Sequence, residues 1–177
     1  MMTHCTRTPE EMITLIRQQE QRIACLIWSD DLAMLNQAGL RDAIAALDPE
    51  LYTVVFCDIN RLKQINSATG SHDTTNRYLR DGLRIRRGEL AGQLFGDEFL
   101  FILPEAADAA GFCARLTRQL ASQPLSQSER MALEAFDGPN ARLSATFAWE
   151  VTSDVWAAVE RLSREVLAQK AARDRRA

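Results

Sequence analysis

The stretch LYTVVFC, Leu51 to Cys57, is almost continuously apolar and runs directly into Asp58. A strand with one solvent face alternates polar and apolar residues, whereas a strand apolar on both faces needs cover on both sides. This segment therefore predicts a central strand of a sheet sandwiched between helices. It also places a carboxylate at the strand's end.

The neighbouring periodicities supply the rest of the sandwich. Residues 9–28 begin with Pro9-Glu10-Glu11 and set Met12, Ile16, Ile23 and Ile27 on one helical face. That N-terminal unit, residues 1–29, reads as a linker or dimerisation helix ahead of a domain over 30–177. Helices are predicted over 35–47, 60–68 and 76–87, the last two separated by TGSHDTT. A strand-turn-strand surrounds QLFGDEFLFILP. A helix over 105–121 gathers Ala109, Phe112, Cys113, Leu116 and Leu120 on one face. Residues 123–141 are polar, contain Gly138-Pro139 and read as loop or hairpin. A strand over 142–150 alternates Leu143, Ala145, Phe147 and Trp149 against Ser144, Thr146 and Ala148. A last helix, capped by Asp154, turns Val155, Val159, Leu162 and Val166 inward. The order suits an α/β sandwich with a mixed or antiparallel sheet.

Composition narrows the function classes. The net charge of −3 and the absence of a long basic run argue against nucleic acid as a partner. No apolar run reaches the roughly 18–20 residues a bilayer demands, and no signal-peptide pattern opens the chain, so a cytoplasmic protein without membrane contact is expected. Cys5, Cys25, Cys57 and Cys113 form no CxxC pair and read as buried, reduced thiols. His4 and His72 are the only histidines, so any bound metal should be a hard ion held by oxygen.

Asp97 and Glu98 follow Gly96 at the turn of the strand pair. Either they are a solvated hairpin tip, or they meet Asp58 at one rim of the sheet and form a magnesium site. The surrounding DINRLKQINSATG favours the second. It is similar to the GGDEF family of nucleotidyl cyclases, with Asp58, Lys63, Asn66 and Gly70 at matching spacing. Gly96, Asp97, Glu98 and Phe99 match the signature pentapeptide. DDLAMLNQAGL weakly resembles the turn that begins such domains, and Val166-Leu167-Ala168-Gln169-Lys170 falls where the family has its A-x-x-A-K segment. The resemblance spans about residues 30–176.

The resemblance implies a palm-like α/β sandwich, a central, mostly antiparallel sheet of about five strands flanked by helices. It implies a diguanylate cyclase that condenses two GTP into cyclic di-GMP and releases pyrophosphate. A homodimer would be needed, because each site holds one nucleotide. Asp58, Asp97 and the Ile59 carbonyl would ligate two Mg²⁺ or Mn²⁺ ions. Glu98 would help position metal or activate the ribose 3′-hydroxyl. Lys63 and Lys170 would hold triphosphate oxygens, with Arg173 and Gly96 also at the substrate. Asn66, with Thr75 or Asn76, would read the purine edge. Arg86 and Glu89 occupy the place of an inhibitory product site, as R-x-x-E in place of R-x-x-D.

Several positions depart from the family. Phe95 stands at the signature's first glycine, where a phenyl ring could block the pocket. Gln93 replaces an arginine, Asn60 an aspartate, and Asp174 a phosphate-binding arginine. Thr75 or Asn76 replaces a base-reading carboxylate, which opens adenine as well as guanine, and hence ATP as well as GTP. Together these departures keep a second reading alongside the cyclase: a degenerate domain that binds a nucleotide or cyclic dinucleotide.

Overall fold

The computed structural model describes Trp28–Ser29 and residues 34–70, 73–105 and 107–175. The helix expected over 9–28 lies outside the described residues, except that Trp28 belongs to a strand. The elements are β1 (Trp28–Ser29), β2 (Met34–Leu35), α1 (Gln37–Ala45), β3 (Tyr52–Ile59), α2 (Leu62–Thr69), α3 (Asp73–Gly82), β4 (Leu90–Phe95), β5 (Glu98–Pro104), α4 (Ala109–Ala121), α5 (Gln127–Asp137), β6 (Ala145–Thr152) and α6 (Val155–Asp174).

The strands form one sheet in the order β1-β2-β4-β5-β3-β6. All neighbours are antiparallel except the short β2–β4 pairing. Among the described residues there are thus six strands, against about five expected, and β1 and β2 are two-residue stubs. The strand Tyr52–Ile59 lies between β5 and β6 and is buried on both faces, as its continuous apolar run requires. On one face Val55, Cys57, Phe99 and Phe101 pack against Ile65 of α2, Leu79 of α3, Phe112 and Leu116 of α4 and Leu133 of α5. On the other, Val54, Phe56, Leu100 and Ile102 meet Leu40 of α1 and Val155, Leu162 and Val166 of α6. Gly92 lets α1 approach the sheet, since a Cβ there would lie 2.9–3.0 Å from the Leu40 side chain.

Five expectations need correction. Helix α1 is shorter than 35–47, because Met34 and Leu35 join the sheet and Asn36 caps the helix through Gly39 N–H. The stretch expected as helix over 76–87 begins earlier and stops at Gly82, a poor helix former, after which Leu83 is pinned in the core. Helix α4 starts at Ala109, not 105, because Asp108 caps it through Gly111 N–H.

The segment 123–141 is not a loop. Ser126 and Glu129 form a reciprocal capping box that starts α5. Glu129 is fully buried and also accepts the Tyr78 hydroxyl at 2.9 Å, fastening α5 to α3. Finally, β6 runs 145–152, not 142–150. Leu143, Ala145 and Phe147 pack against one core face as their alternation suggests, but Ala148 is buried on the other face and Trp149 is 45% exposed. It pairs on one side with β3, so its far end lies beyond the helices that cover the sheet centre.

Both described cysteines are buried, and burial pushes both thiols up, that of Cys113 to about 11. They are inert apolar packing, as expected.

Candidate active site

The site forms at the rim where β3 ends and the β4–β5 hairpin turns. Phe95 and Glu98 are paired, with Gly96 and Asp97 as the two-residue turn between them. Gly96 has φ 45°, the conformation a tight hairpin needs at its first central position. Gln93 Nε2 closes the turn by donating to the Gly96 carbonyl at 2.7 Å. Ile59 N–H donates to the Asp97 carbonyl at 2.9 Å, so the end of β3 and the hairpin tip are physically joined.

Alternation along the strands fixes where the acids point. Val54 and Phe56 face α1 and α6, so Asp58 does too, and Leu100 and Ile102 put Glu98 on the same face. Asp58 and Glu98 are direct cross-strand partners. Lys170, reaching in from α6, donates to Asp58 Oδ1. Burial raises the Asp58 carboxyl above its ordinary range; Lys170 opposes that shift and Asp97 adds to it. Glu98 is also raised, first by burial and then by the charges of Asp58 and Asp97. Three acids thus crowd a rim where Lys170 pairs directly with one of them.

On the other side of the hairpin lies an open cleft of about 620 Å³. Lys63, Asn66, Asn76, Gly96, Asp97 and Gln93 line it. Asp97 therefore stands between the cleft and the Asp58–Glu98 pair. Lys63 is exposed on α2, and Asn66 of α2 and Asn76 of α3 both line the cleft. Of the two alternatives for the second base-reading position, Asn76 lines the cleft; Thr75 lies on α3, and its side chain is outside the described residues.

Not every expected site residue joins this group. Arg173 lies on a neighbouring pocket with Asn60, Arg142 and Ser144, although its charge is felt at Asp58. Arg86 and Glu89 sit elsewhere, in a pocket with Pro104, Phe112, Arg115 and Arg118. There the Glu89 carboxylate takes both oxygens' worth of contact from Arg115, at 2.7 and 2.9 Å, and the Arg86 N–H at 2.6 Å. Arg115 in turn donates to the Arg84 carbonyl at 2.7 Å, so Glu89 clasps the loop after α3.

The departures from the family pattern find physical roles. Phe95 does not line the cleft. It is 64% exposed and turns to the opposite face, toward a groove with Phe56, Trp156 and Val159. Phe95→Ala should accordingly leave the affinity for a mononucleotide within about twofold by calorimetry, since the substitution removes no cleft contact. A tenfold change would place the ring against the ligand. Asn60 is buried and ties β3 to β6, donating to Ser144 Oγ at 3.0 Å and accepting from Thr146 Oγ1 at 2.9 Å. Asp174 pairs with Arg61 at 2.9 Å.

Arg61 itself carries no sequence signal of its role. It holds φ 60°, uncommon for a residue with a Cβ, at the start of α2. Its guanidinium meets Asp137 at 3.1 Å and Asp174 at 2.9 Å and lies over the Phe136 ring, binding the ends of α5 and α6 to the site.

The donors at the rim are all oxygen: the carboxylates of Asp58, Asp97 and Glu98 and the backbone carbonyls beside them. Among the described residues no three His, Cys, Asp or Glu side chains form a cluster that could hold a metal ion unaided. The set fits a hard divalent cation whose remaining ligands come from a phosphate group or water, which is how magnesium is usually bound.

The domain is thus a mostly antiparallel sheet with helices on both faces, its acids gathered at a hairpin rim beside an open cleft. Residues 33–135 match the family described as diguanylate cyclase, GGDEF domain, and the chain belongs to that family. A search of curated proteins found no match. Among solved structures, the coiled coil and GGDEF domain of DgcB from Caulobacter crescentus, in complex with c-di-GMP, is similar at 15% identity and TM-score 0.70, over 92% of this chain and 90% of that one. Diguanylate cyclase SiaD from Pseudomonas aeruginosa, in complex with its activator SiaC, is similar at 20% identity and TM-score 0.63, over 91% of this chain. The match spans 66% of the SiaD chain. At these identities the likeness establishes the fold. No described helix is long and apolar enough to cross a membrane.

Proposed function

We propose that the domain condenses two GTP molecules into cyclic di-GMP with release of two pyrophosphates, as a homodimer. The observation that carries this reading is the joining of Asp58, Asp97 and Glu98 at one rim, next to a cleft lined by Lys63, Asn66 and Asn76. A relic with a purely structural role has no use for three mutually repelling carboxylates, two of them raised by burial.

The nucleotide lies in the cleft with its base between Asn66 and Asn76 and its phosphates toward Lys63. The side-chain amides of these asparagines each donate and accept, so they pair with guanine or with adenine, and ATP is a second candidate substrate. Asp58, Asp97 and the Ile59 carbonyl would hold Mg²⁺ or Mn²⁺, which would supply charge neutralisation at the phosphates and acidify the ribose hydroxyl. Glu98, with its raised carboxyl, accepts the 3′-hydroxyl proton as the new bond from O3′ to the α-phosphorus forms. The bond from that phosphorus to the bridging oxygen breaks, and pyrophosphate leaves. The same exchange from the partner nucleotide closes the ring. Where the family's inhibitory product site falls, Arg86 and Arg118 are exposed cations and Glu89 is engaged by Arg115, so a product would be held there by the arginines without Glu89, and weakly.

One observation favours a second reading, a nucleotide-binding domain without turnover: Lys170 already pairs with Asp58, a carboxylate the reaction needs. The test incubates purified protein with labelled GTP or ATP and magnesium or manganese and resolves the products, with Asp97→Ala as control. Cyclic dinucleotide from the parent and none from the variant supports the cyclase. Nucleotide binding with no product under any combination leaves the binding domain. Product from ATP removes strict guanine preference.

A further inference from the structure

We propose that the outer edge of β6 docks the β6 of a second copy of this chain, the two strands pairing antiparallel about a two-fold axis at Trp149.

The sheet ends differently at its two edges. One edge is β1, a stub of 2 residues, and the other is β6, Ala145–Thr152, of 8 residues. No described strand lies beyond β6. Its register with β3 runs without a shift from Tyr52 opposite Thr152 to Ile59 opposite Ala145. One step on, Asn60 N–H donates to the Ser144 carbonyl at 2.9 Å. Main-chain groups along an antiparallel strand point alternately toward and away from a given neighbour. Ser144, Thr146, Ala148 and Glu150 therefore turn theirs to β3, and Phe147, Trp149 and Val151 turn theirs outward. The far side of β3 agrees with this phase, since Ile59 N–H turns away from β6 to the Asp97 carbonyl.

This edge lacks the features that keep open strands apart. Lysine, proline and a bulge all discourage pairing at an edge, and β6 has none of them. Its one charged residue, Glu150, is held by Arg161 of α6, whose Nε donates at 3.1 Å. Glu150 also lies on the opposite face of the sheet from Trp149 and Val151, which are 45% and 53% exposed.

The strand is complementary to itself, as a two-fold contact demands. With Trp149 opposite its own counterpart, Phe147 falls opposite Val151, Thr146 opposite Thr152 and Ala148 opposite Glu150. Apolar side chains meet on one face, and no like charges stand directly opposite. The outward groups of Phe147, Trp149 and Val151 then satisfy one another in about six ladder hydrogen bonds. The Ala145 end of β6 borders the acid rim, through Ile59 and Asp58. Antiparallel pairing lays that end beside the partner's Thr152 end, so the two rims stand at opposite ends of the joined sheet. This contact is therefore distinct from one that brings two bound nucleotides face to face, and it does not rest on the cyclase reading.

The test follows amide hydrogen exchange by NMR in the full chain, without nucleotide, at dilute and at concentrated protein. Amides of Phe147, Trp149 and Val151 should slow by at least about tenfold on concentration, while those of Thr146, Ala148 and Glu150 are protected throughout. Trp149→Lys sets like charges opposite each other at the axis and should abolish the slowing. Val151→Pro removes an outward donor without a bond to β3 and should weaken it. Thermal melts check that both variants fold, and sedimentation of the parent and variants should show the matching change in mass. Outward amides that exchange equally fast at every concentration overturn the proposal. So does protection that persists at dilution and in Trp149→Lys, which would mean that another segment of the same chain covers the edge. Neither result depends on whether the chain makes a cyclic dinucleotide.

Discussion

Asp58→Asn is expected to lower cyclic dinucleotide formation by at least about 10²–10³-fold, the scale on which losing one charge-stabilising group at a reacting centre acts. The carboxylate is buried at the end of the central strand, opposite Glu98 and in contact with Lys170. The same substitution should not weaken the fold. Burial holds the Asp58 carboxyl above its ordinary range even with Lys170 beside it, so the folded state favours the protonated form. The sign follows: a carboxyl raised on folding adds stability where it is protonated and loses it as pH climbs through its range. At neutral pH the ionised group is a burden that asparagine removes, and Lys170 can extend its flexible stem toward solvent. Product assays and thermal melts across pH measure both halves. Undiminished product would show that Asp58 is not at the reacting centre. A marked fall in melting temperature would show that its ion pair holds the domain together.

Phe101→Ala is expected to cost about 3–5 kcal/mol of folding stability, a large share of the roughly 5–15 kcal/mol typical of a domain. The ring is fully buried between the sheet and α4, edge-on to Phe112 with centroids 5.1 Å apart. Its strand partners are Val55 and Ala91, well back from the hairpin tip. Truncation therefore opens a cavity in the core without touching the acids. Urea unfolding should show a lower midpoint, and any loss of nucleotide binding should follow the unfolded fraction. A change below about 1 kcal/mol would mean that the core closes around the gap.

Much of this architecture was legible from local pattern. The unbroken apolar run before Asp58 could only be a covered central strand, and the stripe Phe112, Cys113, Leu116, Leu120 could only face a core. Val155, Leu162 and Val166 were read correctly as the inner face of α6. The helix over Gln127–Asp137 was missed because its polar composition hid a capping box that is itself a sequence signal, Ser126 with Glu129 three residues on. The exposure of Trp149 and the burial of Ala148 on β6 were not legible because an edge strand's exposure depends on what lies over it, which alternation alone does not contain.

At the site, the sequence by itself determined which chemistry was available: hard oxygen donors at a strand end and a hairpin turn, with lysines and asparagines on the helices around them. Those features follow from residue type and short-range spacing. The tertiary structure alone decided how they are shared out. It joined Ile59 to Asp97, set Asp58 across from Glu98, and gave Lys170 to that face while Lys63 went to the cleft. It turned Phe95 away from the cleft, closed Glu89 onto Arg115 and gathered Arg142 beside Arg173. The physical reason is that each of these contacts joins segments far apart in the chain. Which face a side chain meets is then fixed by sheet register and helix docking, long-range quantities that no local periodicity encodes.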